Sequence, residues 1–194
     1  MCRDKKLKER FSHLVGYFGH LYEGRGVELI LDLAKMRHNL AFLIFGGSEK
    51  DILRIKNKNT SKNIFIMGHV DQKDSIKLMK QMDILLMPYQ KKVSIGIKNS
   101  DTSKWMSPIK MFEYMSSNVP IISSDIPVLR EVLVNNTNSL LVKSDDCNAW
   151  SNAILKIVND KSTAKKISSN AYSDFKEKFT WKIRVEKIIK FLNE

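Results

Sequence analysis

The chain has 194 residues, and its 33 Lys and Arg against 21 Asp and Glu give a formal net charge of +12. This length favours one domain, and a hydrophobic share of 43% with only 4 Pro and 8 Gly excludes disordered and collagen-like chains. Two cysteines, Cys2 and Cys147, are too few for a disulfide framework, and apolar runs such as Leu40–Phe45 are too short to span a membrane. The charged start leads into no apolar signal segment, so we expect a soluble, cytoplasmic protein.

The basic excess is concentrated near the two ends of the chain, around residues 3–10 and 176–190. A solvated surface is the simplest explanation; an anionic membrane surface and a phosphorylated small molecule are alternatives. Nucleic acid is not expected as a partner, because no basic stretch is interleaved with aromatic residues and no zinc-finger or RNA-binding motif is present.

Short continuous runs of Ile, Leu, Val and Phe predict buried strands of a parallel sheet that is covered on both faces. In chain order the predicted strands are Leu14–Phe18, Leu40–Phe45, Ile64–Met67, Ile84–Met87, Val119–Ile122 and Leu140–Val142. Apolar residues between and after them recur at helical spacing. These stripes are Val27, Ile30, Leu31 and Ala34; then Trp150, Ile154, Ile157 and Val158; and finally Trp181, Val185, Ile188, Ile189 and Leu192.

The alternation of strands and helices predicts the α/β class, with a doubly wound, mostly parallel, Rossmann-like sheet. We expect a single domain over residues 14–194, ending in a helix, and a basic lead-in over residues 1–13. No internal repeat and no low-complexity linker divides the chain.

Glycine or polar residues follow most of the predicted strands, where open α/β sheets bind their ligands. They are Gly19-His20, Gly46-Gly47-Ser48, Gly68-His69, Pro88-Tyr89 and Ser123-Ser124-Asp125. Glycine lets the backbone approach a ligand, and a helix N-terminus offers free N–H groups, so a phosphate-bearing ligand is indicated. A purely structural role in tight turns is the alternative. The dinucleotide fingerprint G-x-G-x-x-G and the P-loop are both absent.

The segment from Ser107 to Asp125 carries the most chemical information. Ser107 is suited to be an N-cap and Pro108 to be the first helical residue, which would leave the N–H groups of Ile109 and Lys110 free to bind an anion. The Glu113 carboxylate can accept two hydroxyl hydrogen bonds, as from the diol of a ribose. Its alternatives are a solvated helix position or an ion pair with Lys110.

Three segments in order, Gly19–Gly26, Ile64–Val70 and Ser107–Asp125, closely resemble the carboxyl-terminal half of the retaining glycosyltransferases of family 4, also called group 1. The resemblance runs from about residue 14 to the end of the chain. It implies the GT-B fold, in which two Rossmann-like domains face a cleft. The carboxyl-terminal domain of such enzymes binds a nucleotide sugar, and the amino-terminal domain binds the acceptor.

The resemblance implies roles for particular residues. Glu113 would hold the ribose, the backbone around Ser107–Lys110 would contact the diphosphate, and Arg25 would neutralise it, so Arg25 and Glu113 are the catalytic candidates. His20 stands where the family usually has an arginine, and it is either a phosphate donor or a turn residue. The remaining donor-binding candidates are Gly19, Gly47, Gly68, His69, Val70, Pro108, Ile109 and Lys110, with Ser48 at the same edge. No metal and no cofactor is implied, beyond a UDP, GDP or similar sugar as substrate.

Two departures from the family pattern stand out. The position eight residues before Glu113, where the family often has a second glutamate, holds Trp105; we expect it to pack over the loop, with sugar stacking as the alternative. Residues 90–104 read as a mobile loop over the cleft, in which Lys91 and Lys92 are solvated or bind phosphate.

The resemblance covers only the donor-binding half. The chain is thus expected to be a fragment of an enzyme, one subunit of a split transferase, or a noncatalytic interaction or regulatory module. The first two require a separate acceptor-binding domain. The resemblance further implies a role in surface polysaccharide or glycolipid synthesis, and it allows a peripheral contact with an anionic membrane at the cytoplasmic face.

Overall fold

A computed structural model describes residues 5–97 and 100–193, and Cys2 therefore lies outside the described part. The strands are β1 (His13–Phe18), β2 (Leu40–Phe45), β3 (Ile64–Gly68), β4 (Ile84–Met87), β5 (Ile121–Ser124) and β6 (Leu140–Val142). The helices are α1 (Lys5–Arg10), α2 (Val27–Met36), α3 (Glu49–Lys58), α4 (Gln72–Met79), α5 (Ile109–Ser116), α6 (Pro127–Arg130), α7 (Cys147–Asn159), α8 (Lys161–Lys178) and α9 (Trp181–Leu192).

The strands pair in parallel in the order β3-β2-β1-β4-β5-β6. The pairing of Gly16 with Leu43 on one side and Leu85 on the other places β1 between β2 and β4. Connections from β1 and from β4 therefore run in opposite directions along the sheet, and a crevice opens between the loops that follow them. The predicted doubly wound α/β fold is confirmed.

Helices cover both faces of the sheet. Leu33 of α2, Ile55 of α3 and Trp150 of α7 are fully buried on one face, whereas Met79 of α4 and Met115 of α5 are buried on the other. The first two predicted stripes are confirmed as core-facing, since their residues are buried apart from Val158, which packs at the edge of the core.

β5 lies two residues later than predicted. It begins at Ile121 and continues into Ser123 and Ser124, both of which are fully buried. Asn118 has a φ of 58° and Pro120 has no N–H, so the chain joins the β ladder only after them. The two serines therefore belong to the strand rather than to a ligand-facing turn.

The predicted final helix is confirmed as α9, but its apolar stripe is not part of the core. Trp181 is 77% exposed, Leu192 is 74% exposed, and Val185, Ile188 and Ile189 are each about half exposed. We call these five side chains the α9 apolar face. Within residues 5–97 and 100–193, no helix is long and apolar enough to cross a membrane.

The amino-terminal segment contributes to the core. Leu7 of α1 packs against the buried cluster, and Phe11 meets Phe65 edge-on with ring centroids 5.8 Å apart. Of the cysteines, Cys147 is a free thiol at the start of α7.

Tyr114 ties α5 to the two strands that border the crevice. Its side chain is fully buried, and its hydroxyl accepts a hydrogen bond from the Phe18 N–H at 2.8 Å and lies 3.3 Å from the Leu86 carbonyl oxygen, to which it can donate. One side chain thus fixes α5 against the carboxyl ends of β1 and β4.

We predict that Tyr114→Phe lowers the free energy of unfolding by about 1–3 kcal/mol, because the buried Phe18 N–H loses its acceptor. Urea denaturation followed by circular dichroism measures this loss. The matched control is Tyr172→Phe on α8, where the side chain is partly exposed and the change should stay within about 0.5 kcal/mol. Equal stability of the two variants would contradict the assigned role.

Candidate functional site

A cavity of about 350 Å³ opens at the carboxyl ends of β1, β2 and β3. Its lining residues are Phe18, Gly19, His20, Phe45, Gly46, Gly47, His69, Val70, Gln72, Ser75, Met79, Lys110 and Glu113. The candidates Gly19, His20, Gly47, His69, Val70, Lys110 and Glu113 are therefore brought together by the fold. The carbonyl oxygen of Gly68, by contrast, accepts a hydrogen bond from the Gly46 N–H at 2.6 Å and closes the β2–β3 edge.

A second cavity, of about 450 Å³, lies where β1, β2 and β3 begin and is lined by Arg10, Lys35, His38 and Lys62 among others. Open α/β sheets bind ligands at the carboxyl ends of their strands, and the amino-terminal edge lacks the glycine turns and helix N-termini of the opposite edge. The cavity at the carboxyl ends of the strands is therefore the candidate functional site.

Glycine at the site is required for close packing of the strand ends. Gly46 has a φ of 112°, and a Cβ there would lie 2.2 Å from the Gly19 carbonyl oxygen. Gly26 has a φ of 79°, and its Cβ would lie 1.8 Å from the Pro88 oxygen. These positions exclude other residues for steric reasons, so the structural explanation of the glycine turns holds for these two.

Arg25 projects from the turn after β1 toward the segment after β4. Its guanidinium carbon lies 5.3 Å from the ring centroid of Tyr89, and its Nη1 donates to the Tyr89 hydroxyl at 3.2 Å. The Arg25 Nε is buried and has no hydrogen-bond partner among the described residues. The guanidinium is thus held in place with unused donor capacity.

Lys110 points to the same aromatic ring from α5. Its Nζ lies 4.6 Å from the Tyr89 centroid and 4.3 Å from that of Tyr17, and a Cβ at Gly19 would lie 3.3 Å from it. Burial, and then the charge of Arg25, holds the pKa of Lys110 well below its usual range. We call Arg25, Lys110 and the rings of Tyr17 and Tyr89 the cation cluster.

The described part of the chain supplies no carboxylate within ion-pair distance of either cation in this cluster. Removing an unpaired positive charge partly from water costs free energy, and a bound anion would lower that free-energy cost. The cation cluster is therefore suited to bind a multiply charged anion.

Glu113 lies on the same helix as Lys110 but makes no ion pair with it in the described structure. Its Oε1 accepts a hydrogen bond from Gln72 Nε2 at 3.3 Å, across from the start of α4. The carboxylate is partly buried and lines the cavity, so its second oxygen is available to a hydroxyl of a bound ligand.

His20 is exposed, and its ring stacks on Tyr22 with centroids 4.8 Å apart. Partial desolvation of the ring by its neighbours, followed by the charges of Arg25 and Lys110, lowers the pKa of His20, so the imidazole is neutral near pH 7. Its carbonyl oxygen accepts from the Tyr17 hydroxyl at 2.6 Å. The backbone of His20 thus serves the turn, while its side chain borders the cavity.

The helix start at residue 107 differs from the prediction. Pro108 occupies the N-cap with φ −72° and ψ 121°, Ser107 does not cap, and α5 begins at Ile109. Ile109 and Lys110 lie in the first turn of α5, and the residues four positions before them are outside the helix. Their N–H groups therefore have no acceptor within the helix. Ser48 also has a structural role, since its side chain caps α3 together with Asp51.

The segment after β4 is anchored rather than loose. The N–H of Ser94 donates to the Glu23 carbonyl, Val93 is fully buried, and Lys91 pairs with Asp145 at 2.9 Å. The described part therefore does not support the prediction of a mobile loop, while Lys98 and Asn99 lie outside it. The predicted packing of Trp105 is wrong, because its side chain is 70% exposed.

Sequence reasoning gave no role to three tyrosines and one amide at this site, Tyr17, Tyr89, Tyr114 and Gln72, although it named Tyr89 at a strand end. For Tyr17 and Tyr89 the available signal was a tyrosine within or soon after an otherwise aliphatic buried strand, because a buried hydroxyl needs a partner. Clusters of three or more His, Cys, Asp or Glu that would hold a metal are not found among residues 5–97 and 100–193.

Comparison with known proteins identifies relatives for most of the chain. The family model described as "Glycosyl transferases group 1" matches residues 3–174, ending before α9. An uncharacterised glycosyltransferase of Methanocaldococcus jannaschii is 27% identical in an alignment 192 positions long that covers 94% of this chain and 46% of that protein. The capsular polysaccharide biosynthesis glycosyltransferase CapM of Staphylococcus aureus is 22% identical over 98% of this chain and 50% of its own length.

Among solved structures, Anabaena HepE in complex with UDP matches with a TM-score of 0.77 at 16% identity, over 98% of this chain and 51% of that one. The likeness confirms the fold expected for the carboxyl-terminal half of a GT-B enzyme. The chain spans about half the length of the relatives that it matches.

Proposed function

The chain belongs to the group 1 glycosyl transferases, and from this premise we propose that it is the donor-binding half of a glycosyltransferase and binds a nucleotide diphosphate sugar at the cavity beside the cation cluster. The observation that carries the proposal is the presence of Arg25 and Lys110 without carboxylate partners, next to a cavity whose wall bears Glu113. The UDP bound to HepE is consistent with such a ligand.

Each part of the ligand has a matching group on the protein. The carboxylate of Glu113 accepts hydrogen bonds from the ribose hydroxyls, and Gln72 holds it in position. The guanidinium of Arg25 and the N–H groups of Ile109 and Lys110 bind the diphosphate, and the backbone at Gly68–Val70 lies beside the nucleobase. The proposal thus retains Gly19, His20, Gly47, His69 and Val70 as the surrounding surface.

The reaction proposed is glycosyl transfer with retention of anomeric configuration. As the bond between the sugar and the diphosphate breaks, negative charge grows on the leaving group, and the guanidinium of Arg25 and the start of α5 stabilise it electrostatically. Orienting the acceptor hydroxyl requires a surface across the cleft, which a separate acceptor-binding domain or subunit would supply. The name of CapM supports a role in polysaccharide synthesis.

We predict that this chain binds UDP or GDP, and that Glu113→Gln weakens the affinity about tenfold, because the ribose loses a charged acceptor. Isothermal titration calorimetry with each nucleotide measures the effect. The matched control is Glu131→Gln, at an exposed position after α6, which should bind like the unmodified chain. An absence of binding to both nucleotides at millimolar concentration would favour the noncatalytic interaction module instead.

The α9 apolar face is the second element of the proposal. Ile183, which lies between Trp181 and Val185, is less exposed than they are, so α9 turns Ile183 toward the body and leaves the α9 apolar face directed outward. The five exposed apolar side chains need cover, and the relatives extend over about twice the length of this chain. We therefore assign the α9 apolar face to contact with the acceptor-binding domain.

We predict that the double variant Val185→Glu and Ile188→Glu leaves the unfolding free energy of this chain within about 0.5 kcal/mol of the original, because both side chains are already half exposed. Urea denaturation measures it, and a large destabilisation would show that the face packs on this chain. Co-sedimentation with anionic phospholipid vesicles separates the membrane alternative: vesicle binding that the double variant loses would contradict the domain assignment.

A further inference from the structure

Lys110 is placed unlike a solvated lysine. Its ammonium is turned back from α5 onto the rings of Tyr17 and Tyr89 and lies against the backbone of Gly19. A lysine side chain that leaves bulk water gives up hydration and rotamer freedom, and the two aromatic faces recover only part of that cost. A structural role alone therefore accounts poorly for the position of this side chain.

The neighbouring charges increase that cost. Arg25 lies over the same Tyr89 ring, at 5.3 Å, so two like charges flank one aromatic side chain. Glu113 on the same helix is near enough to favour the charged lysine electrostatically, but it forms no described ion pair with it and is hydrogen-bonded to Gln72. An anion bound between the two cations would relieve the repulsion and complete the hydrogen bonding of both.

The position of Lys110 along the site indicates which anion this is. Lys110 and Glu113 both line the cavity, whereas Arg25 is not among the described lining residues, although it shares the Tyr89 ring with Lys110. A ligand whose ribose is held by Glu113 would therefore reach the ammonium of Lys110 before it reaches Arg25. We therefore expect the first phosphate after the ribose to meet Lys110 and the second to meet Arg25.

We propose that the side chain of Lys110, and not only its backbone N–H, is a diphosphate-binding cation that works together with Arg25. The inference rests on the proposed donor-binding function and adds a specific residue to it. Tyr17 and Tyr89 are positioning residues, because their rings hold the Lys110 ammonium at the wall of the cavity. His20 is neutral and therefore does not supply the positive charge that Lys110 supplies.

The proposal has a consequence for pH. The groups that face Lys110 are Tyr17 from β1, His20 and Arg25 from the following turn, Tyr89 after β4, and Glu113 from α5. Burial raises the pKa values of both tyrosines, so they stay neutral. Burial and Arg25 lower the pKa of Lys110 in the free protein, and a bound diphosphate, which favours the ammonium, would raise that pKa again.

The test compares Lys110→Met with the unmodified chain by calorimetry. UDP and GDP are the diphosphate probes, and uridine and guanosine are their phosphate-free counterparts. The expected result is a loss of about 10- to 100-fold in affinity for the diphosphate that binds, with unchanged affinity for its nucleoside, because only the charged contact is removed. Lys165→Met, at an exposed position on α8, is the matched control and should change neither affinity.

The outcomes separate this inference from the proposed function. An unmodified chain that binds neither diphosphate contradicts both. If Lys110→Met binds the diphosphate as well as the unmodified chain does, or loses nucleoside affinity equally, the side chain is not a phosphate ligand and this inference alone is wrong. Thermal unfolding of each variant shows whether a loss arises from misfolding, and Lys110→Arg, which retains the charge, should restore affinity for the diphosphate.

A pH series supplies an independent readout with the matching nucleotide sugar, whose diphosphate diester keeps a constant charge. The affinity of the unmodified chain should fall with rising pH, as Lys110 loses its proton, and that of Lys110→Arg should not change over the same range. A parallel pH dependence in the two proteins would overturn the proposal.

Discussion

The site depends on one electrostatic constraint: two cations share the face of Tyr89 and have no carboxylate partner in the described chain. In a folded domain such a pair raises the free energy unless an anion neutralises it, so its persistence is a feature that binding explains better than stability does. The neighbouring structure holds Arg25 and Lys110 in this arrangement, and the other elements of the site can be understood by how they do so.

The topology of the sheet brings the two cations together. Arg25 follows β1, Tyr89 follows β4, and Lys110 begins α5, so the three meet at the crevice where connections from neighbouring strands diverge. Close backbone contact at Gly26 brings the turn after β1 against Pro88, and the buried hydroxyl of Tyr114 fixes α5 to both strands. Backbone packing and a single tyrosine therefore determine how far apart the charges lie.

Two surfaces of the domain are incomplete in the same sense. The cations of the cation cluster have no carboxylate partner among the described residues, and the α9 apolar face is exposed. A small anionic ligand is enough to neutralise the positive charge of the cation cluster. Covering the apolar surface of α9 requires a macromolecule, because the exposed area is larger than a small ligand can bury. The relatives are about twice as long as this chain, and the acceptor-binding domain that we propose would cover the α9 apolar face and enclose the proposed ligand.

The sequence by itself determined the fold class, because the apolar side chains of runs such as Leu40–Phe45, and of the stripe from Val27 to Ala34, already predict which residues are buried. It also predicted the sheet edge at which we propose the site, and it drew attention to Arg25 and Glu113. The errors at Ser107 and at the start of β5 concern only the ends of one helix and one strand. Such ends are hard to predict to within one or two residues, because neighbouring residues are almost equally suited to begin the element.

Only the tertiary structure decided which side chains meet. No spacing along the chain relates Tyr17, Tyr89 and Lys110, which come from three separate elements, and no local pattern distinguishes the buried stripe of α7 from the exposed one of α9. Helical period records that a face is apolar but not whether a partner covers it, and sequence records that a residue is charged but not which charges surround it. Both properties depend on distances between segments that are remote in sequence, which the packing of the helices on the sheet determines.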